Sequence, residues 1–453
     1  MLNHCIIFNH LFILIYFRNQ CFQPIFAVQL QSMKVFKFGG ASIETVERAK
    51  KVADIIQDFA NDKLLVVISA KGKTTNALEK IVHAYYDNQI ETAQSLLNEM
   101  MVDHQQYTAD LLGTTEHPIF KKLTELFTEI EFVFSEPHGK AFDYYYDQIV
   151  SIGELLSTSI MHAYLEKNNI SSAWLDVRDI LKTDSSYRDA NVLWDETEEI
   201  VKTVFPKEFE TKNVIITQGF IGSTDENNTV TLGREGSDYS AAIFANMLDA
   251  ESVTIWKDVP SLLNGDPKIF PNTVPIREIT YHEVIEMTFY GAQVIHPKTI
   301  KPLFLKSIPL YVKCFLDKTL EGTKIFNTEE KINYPPILVL KQNQTLLEVQ
   351  TKDYSFITDD KLSDVYELFH KHKLQINLIQ HAAIRFVALV DSHKEKLEAL
   401  LQDLSINYSV KRNEHLFLFT VRHYNPSILE EELKNREVLL TQKTRQTIQI
   451  VAQ

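Results

Sequence analysis

From Met33 onward the apolar positions switch between a short, continuous pattern and a helical one. Val35 to Phe38 reads as a short strand. Ile43, Val46, Val52, Ile55, Ile56 and Phe59 then recur at helical spacing, and Leu64 to Ser69 reads as the next strand. Between about Asn76 and Phe134, polar-faced helical periods with few breakers predict a helical excursion, and Ser151 to Asn168 resumes as an amphipathic helix. Buried-type strands are predicted at Asn213 to Phe220, Ser252 to Val259 and Leu310 to Phe315. Apolar runs alternating with helices predict an α/β fold, a mostly parallel sheet sandwiched by helices over residues 33–327. Past the turn-like Asn333-Tyr334-Pro335-Pro336 the elements shorten. Strands at Leu346 to Thr351, Gln375 to Gln380 and Ile384 to Asp391 are interleaved with helices at Leu362 to His372 and His393 to Leu404. Leu416 to Val421 opens a more compact unit, with Ile428 to Leu433 helical and a closing hairpin through Leu439 and Ile448. Two ferredoxin-like units over residues 337–453 are the expected reading. No low-complexity linker precedes them, so close docking is expected.

The composition narrows the partners. With 453 residues, 45% hydrophobic and 23% charged, the chain is globular and too long for one domain. Sixty acidic against 46 basic residues give a formal charge of -14, which offers no long cationic track for nucleic acid. An anion such as ATP can still bind where backbone amides and a few cations converge at a helix start. Three cysteines, Cys5, Cys21 and Cys314, make structural disulfides and a cysteine metal site improbable. Ile6 to Phe17 is mostly apolar, but it lacks a preceding basic region and a good small-residue cleavage site, and it is shorter than the about 20 residues a bilayer needs. Met33 is therefore the expected start, residues 1–32 an extension outside the fold, and the protein cytoplasmic with no membrane partner.

Four segments carry candidate chemistry. Lys37-Phe38-Gly39-Gly40-Ala41-Ser42 joins a strand to a helix, where bare amides and Lys37 can meet a phosphate; a plain glycine turn with a solvated lysine is equally compatible. Leu232-Gly233-Arg234-Glu235-Gly236-Ser237-Asp238-Tyr239-Ser240 enters a small-residue helix, and its bland alternative is a cap by Ser237 or Asp238. Two such glycine-bracketed junctions in one sheet favour a shared anion site. Ser151-Ile152-Gly153-Glu154 has the spacing of a capping box. Trp256-Lys257-Asp258-Val259 and Asn264-Gly265-Asp266-Pro267-Lys268 form a strand and turn with two cations that turn chemistry alone does not require.

Together these motifs resemble the aspartokinases of the amino acid kinase fold over nearly all of residues 33–453. Lys37 to Ser42 is similar to the family's KFGG[TS]S, Ser69 to Asn76 to its second strand-loop, Gly219-Phe220-Ile221-Gly222 to QGF[IL]G, Gly233 to Asp238 to GRGGSD, and Gly291 to Pro297 to GAKVLHP. The tail resembles paired ACT domains, which bind amino acids as regulators. The resemblance implies an aspartate kinase, with ATP as co-substrate accompanied by Mg²⁺ and no metal site built from the protein. Lys37 would neutralise the transferring phosphoryl group and Asp238 would orient Lys37. Gly39, Gly40 and Ser42 would line the phosphates. Arg234 would grip the α-carboxylate of L-aspartate and Glu154 its ammonium, with Ser69, Thr75, Phe220 and Ser237 completing the pocket. Lys257, Asp258 and Lys268 would face the nucleotide. ACT pairs commonly join subunits, so a homodimer is expected by analogy.

The departures bear on the nucleotide and the effector. Ser261 stands for the usual glycine, Leu263 for a tyrosine, Gln293 for the usual lysine and Glu235 for a glycine, its side chain expected to point outward. Ile376 to Ala382 resembles the effector-binding strand, but Asn377 and Ala382 replace an Asp and a Ser or Thr. Lysine is the expected effector, with feedback weakened or lost. Another acceptor (glutamate, acetylglutamate or a nucleotide) and a degenerate kinase acting as an amino acid sensor are the rival readings. Glu154, Arg234 and the ACT pair oppose the first, and retention of Lys37, Arg234 and Asp238 opposes the second. Nothing follows residue 453 to hold a fused homoserine dehydrogenase, so none is expected.

Overall fold

Leu64, Leu65, Val66, Val67 and Ile68 are all fully buried, as a strand covered on both faces requires, which is why this run does not alternate apolar with polar. It lies near the middle of an eight-stranded sheet. The structure, a computed structural model, describes residues 33–137, 139–292, 294–425 and 436–453. Residues 1–32, Gln293 and the helix expected at Ile428 to Leu433 lie outside the described residues.

The strands of this sheet are β1 Met33–Phe38, β2 Lys63–Ile68, β3 Ser172–Leu175, β4 Val214–Gln218, β5 Ser252–Lys257, β6 Glu278–Thr280, β7 Leu310–Cys314 and β8 Thr323–Phe326. Their order is β6-β8-β7-β5-β1-β2-β4-β3. Every pairing is parallel except β7 with β8. The expected helical excursion is three helices, Thr74–Tyr86, Ile90–Leu112 and Ile119–Ser135, and a further helix, Phe142–Val150, follows beyond its expected end.

The helix Ile152–Lys167 departs from the amphipathic expectation. Ile152 to Met161 are buried without a break, including Glu154, Ser157, Thr158 and Ser159. Ser157 and Thr158 have protein partners in place of water: Ser157 Oγ donates to Gly153 O at 2.9 Å, and Thr158 Oγ1 accepts from Trp174 Nε1 at 3.0 Å and from Gln218 Nε2 at 2.8 Å. The capping box fails too. Ser151 has helical angles (φ -58°, ψ -27°) because the helix Phe142–Val150 runs straight up to it. Ser151 Oγ donates backward to Gln148 O at 3.1 Å, and Glu154 is free to face elsewhere.

The C-terminal strands are β9 Ile337–Thr351, β10 Ile376–His381, β11 Arg385–Asp391, β12 Tyr408–Arg422, β13 Val438–Lys443 and β14 Thr447–Ala452. They form one antiparallel sheet, ordered β10-β11-β9-β12-β14-β13. The two ferredoxin-like units of the sequence reading are thus fused through β9 and β12, each of 15 residues. Helices Asp359–Lys371 and Lys394–Asn407 supply Val365, Phe369, Leu397 and Leu400 to a core shared with Leu347, Val349 and Phe386.

This sheet docks closely on the first part of the chain. Phe270 packs against Phe419, Val421, Ile448 and Ile450, and Asn264 Nδ2 donates to Pro336 O at 2.7 Å. At the centre Arg422 donates to Glu283 Oε2 (2.9 Å) and Glu286 Oε2 (2.7 Å), with His423 Nε2 lying 3.1 Å from Glu283 Oε1. Burial would raise the Glu283 carboxyl, but hydrogen bonds and charge from Arg422 and His423 outweigh it and bring it down to about 2. Losing one partner of such a pair leaves a buried charge uncompensated. Arg422→Met should therefore cost about 3–5 kcal/mol in denaturant unfolding, and a Glu283→Leu/Arg422→Met double variant less than the single one.

Candidate active site

The site lies beyond the carboxyl ends of three adjacent strands, β1, β2 and β4, where open parallel sheets place their ligands. Two glycines let the chain close around it. A Cβ on Gly40 would sit 2.3 Å from Ala70 O, and Gly72 N donates to Gly40 O at 2.9 Å, so the loops after β1 and β2 touch backbone to backbone. A Cβ on Gly219 would fall 2.7 Å from Ser237 Cα, so the helix Gly236–Met247 can start directly on the end of β4.

That approach brings Asp238, in the first turn of its helix, to Lys37 at the end of β1. Lys37 Nζ lies 2.6 Å from Asp238 Oδ1, the side chains being 13% and 5% exposed. A carboxylate there is also favoured by the positive end of the helix. Neither Ser237 nor Asp238 caps the helix; Ser237 Oγ donates to Ser69 Oγ at 3.2 Å, tying the second junction to β2.

Around the pair is a cavity of about 390 Å³. Lys37, Ser69, Thr75, Glu154, Phe220, Arg234, Ser237 and Asp238 all line it, which is the whole set assigned above to catalysis and acceptor binding. Glu154 Oε1 accepts from Ala70 N at 3.3 Å, while Oε2 is buried with no protein partner among the described residues. Burial pushes this carboxyl up to about 8 against the opposing pull of the Ala70 amide, Ser69 and Lys37. Arg234 is exposed at the rim. A lysine-aspartate pair, an unfilled carboxyl oxygen and an open arginine can hold an amino acid zwitterion beside a phosphoryl group.

Other assigned residues lie outside this cavity. Ser42 is buried, donating to Gly39 O at 2.5 Å, and the space beside Gly40 is filled by the Ala70 loop. Local packing thus accounts for the bareness of Gly40 and for Ser42. Lys257 Nζ donates to Val294 O at 2.9 Å, Asp258 is exposed, and Lys268 is exposed in a turn where its amide donates to Asp266. Glu235 corrects the sequence reading. It occupies the left-handed region (φ 55°), where a glycine would be unstrained, and its side chain does not point outward: Oε2 accepts from His296 N at 2.9 Å. No group of three or more His, Cys, Asp or Glu placed to hold a metal occurs among the described residues. No helix among them is long and apolar enough to cross a membrane.

Tyr146, Arg188 and Thr231 also line the cavity and carried no recognisable motif. They are assembled by Asp147, fully buried, which accepts from Thr231 N (2.9 Å), Thr231 Oγ1 (2.7 Å) and Arg188 N (2.9 Å). The one available hint was the aromatic run Phe142-Asp143-Tyr144-Tyr145-Tyr146-Asp147, with a carboxylate too apolar in its surroundings to be solvated.

The amino acid kinase family model matches residues 32–314. The lysine-sensitive aspartokinase 3 of Escherichia coli is 30% identical over 402 residues, a match covering 86% of each chain. The chain belongs to the amino acid kinase family, among its aspartokinases. The chloroplastic aspartokinase 1 of Arabidopsis thaliana is 29% identical over 81% of this chain and 65% of its own length. The crystal structure of E. coli aspartokinase III in complex with aspartate and ADP superposes with a TM-score of 0.75 at 27% identity, covering 93% of this chain and 96% of that one.

In this aspartokinase the buried Glu154 ties stability to pH. The unfolded carboxyl ionises near 4.5 and the folded one near 8, so the folded state holds the extra proton between them. Stability is fully present below the lower value and is lost as pH rises toward the upper one. Glu154→Gln should flatten that decline, measured as urea unfolding free energies at several pH values across the window.

Proposed function

We propose that this aspartokinase transfers the γ-phosphoryl group of ATP to the β-carboxylate of L-aspartate, giving 4-phospho-L-aspartate and ADP, the first step of a route to aspartate-derived amino acids. The observation that carries this is the Lys37–Asp238 pair inside the same cavity as Glu154 and Arg234. A carboxylate oxygen attacks the γ-phosphorus, the bond to the β-γ bridging oxygen breaks, and its electron pair leaves on ADP. The attacking carboxylate has an ordinary pKa of about 3.9 and needs no base at neutral pH. Catalysis is then positioning and charge stabilisation. Lys37 neutralises the phosphoryl oxygens and Asp238 fixes its direction. Arg234 takes the α-carboxylate, and Glu154 receives the ammonium, its own proton passing to solvent as the incoming charge favours the carboxylate. Ser69, Thr75, Phe220 and Ser237 shape the pocket.

The nucleotide enters with Mg²⁺ as part of the substrate, its phosphates toward the Gly39-Gly40-Ser42 loop and its remainder toward Lys257, Asp258 and Lys268. Residues 33–327 are the catalytic domain and 337–453 the regulatory one, a cytoplasmic enzyme paired as a homodimer through its ACT-like sheet. Lysine is the effector we assign, with weak feedback. Asn377, where the acidic residue is usual, is already engaged: it accepts from Lys341 Nζ at 2.8 Å and donates to Gln344 Oε1 at 2.7 Å.

With aspartate, ATP and Mg²⁺, hydroxylamine should trap aspartyl hydroxamate. Lys37→Ala should lower that turnover by about 10²–10³-fold while circular dichroism stays unchanged. Near-normal turnover in the variant removes Lys37 from the mechanism, and no hydroxamate from the unaltered enzyme removes aspartate as acceptor.

A further inference from the structure

We infer that Arg188 is a specificity-determining residue of this cavity, a second guanidinium that takes the acceptor carboxylate not held by Arg234 and so selects a dicarboxylic amino acid. The inference rests on aspartate as the acceptor.

Its backbone is held in place by the interior. Arg188 sits at φ 68°, left-handed and unfavourable for a side-chain-bearing residue, and it stays there because its N–H donates to the buried Asp147. The same carboxylate fixes Thr231, another wall of the cavity. A strained residue so over-determined marks a position that is set, where a free loop would have relaxed.

The side chain is oriented without being used up. The guanidinium carbon lies 4.2 Å from the centroid of the Tyr146 ring, itself a lining residue, which fixes the plane of the fork. Its ionic partners are Asp143 at 3.3 Å and Glu79 at 3.7 Å, with all three side chains well exposed. Exposed ion pairs of this kind contribute little, so exchanging them for a substrate carboxylate is nearly free of penalty. A guanidinium carries five N–H donors, and directing them at one oxygen of the acceptor carboxylate leaves the other oxygen free to attack.

The charges of the cavity leave a place for it. Lys37 is paired with Asp238, and Glu235 is bound to the His296 amide. Glu154 keeps its proton at neutral pH until an ammonium arrives. Two cations, Arg234 and Arg188, remain for incoming anions, and the proposed acceptor brings two carboxylates with one ammonium.

Arg188→Gly is the informative variant, because glycine accepts the left-handed backbone without strain and only the side chain is lost. In the full-length enzyme it should raise KM for aspartate roughly 10- to 100-fold, the scale of hydrogen bonds to a charged group, and lower kcat as well because the carboxylate it orients is the attacking one, with KM for ATP little changed. Arg188→Lys, lacking the fork, should recover only part of that loss. Unchanged KM for aspartate in both variants overturns the role of Arg188. So does a rise of both KM values together with a fall in melting temperature, which marks a collapsed loop. If the unaltered enzyme gives no aspartyl hydroxamate, the acceptor assignment falls first and takes this inference with it.

Discussion

A lysine and an aspartate, both nearly shut off from water, have to remain together. Charges in that setting are tolerated only when paired, and separating Lys37 from Asp238 would strand each in a medium that solvates it poorly. Much of the local architecture serves their approach. The end of β1 has to meet the first turn of the helix Gly236–Met247, so Gly219 carries no side chain where that helix rests on it. The loop after β2 has to fold under the loop after β1, so Gly40 carries none where Ala70 passes. Once these junctions are closed, Ser69, Glu154 and Phe220 have nowhere to be except around the same cavity.

The strands were legible because burial on both faces writes itself as uninterrupted apolar runs, and Leu64 to Ile68 or Val214 to Ile216 leave no other reading. The site was legible in part for the same reason: a glycine turn at the end of such a run signals a loop that something must approach closely. The helix Ile152–Lys167 was misread because serine and threonine count as wet in a periodicity argument, whereas Thr158 is solvated by Trp174 and Gln218. Ser151 and Glu154 have capping-box spacing, but no free helix start exists there for them to cap. Arg188 and Tyr146 were beyond reach, since what gathers them is a buried carboxylate whose partners come from two other, distant segments. The residues assigned to the nucleotide were named by resemblance, and the cavity does not gather them.

Glu235 shows how one departure from a family pattern is absorbed. Its backbone keeps the angle a glycine would adopt freely, and its carboxylate is put to use as a tether to His296. His296 follows the helix Tyr281–Tyr290, whose Glu283 and Glu286 hold Arg422 at the end of β12. Between them, Val294 O receives Lys257 from the end of β5. The turn that carries Arg234, at the start of the helix bearing Asp238, is therefore linked to the second sheet through the Glu235–His296 hydrogen bond, the chain leading to His296 and the helix Tyr281–Tyr290. Arg422 and Glu283 are buried where the link crosses between the two sheets.

The second sheet has a mechanical property that follows from its two longest strands. At about 3.3 Å per residue, β9 and β12 each extend for roughly 50 Å side by side, and their register shifts twice near the middle, between Lys341 and Gln344 and between Gln344 and Leu346. Such irregularities let a long ribbon bend at one place and stay straight on either side. The half that bears the helices Asp359–Lys371 and Lys394–Asn407 is therefore joined, across that bend, to the end where Arg422 grips the rest of the molecule.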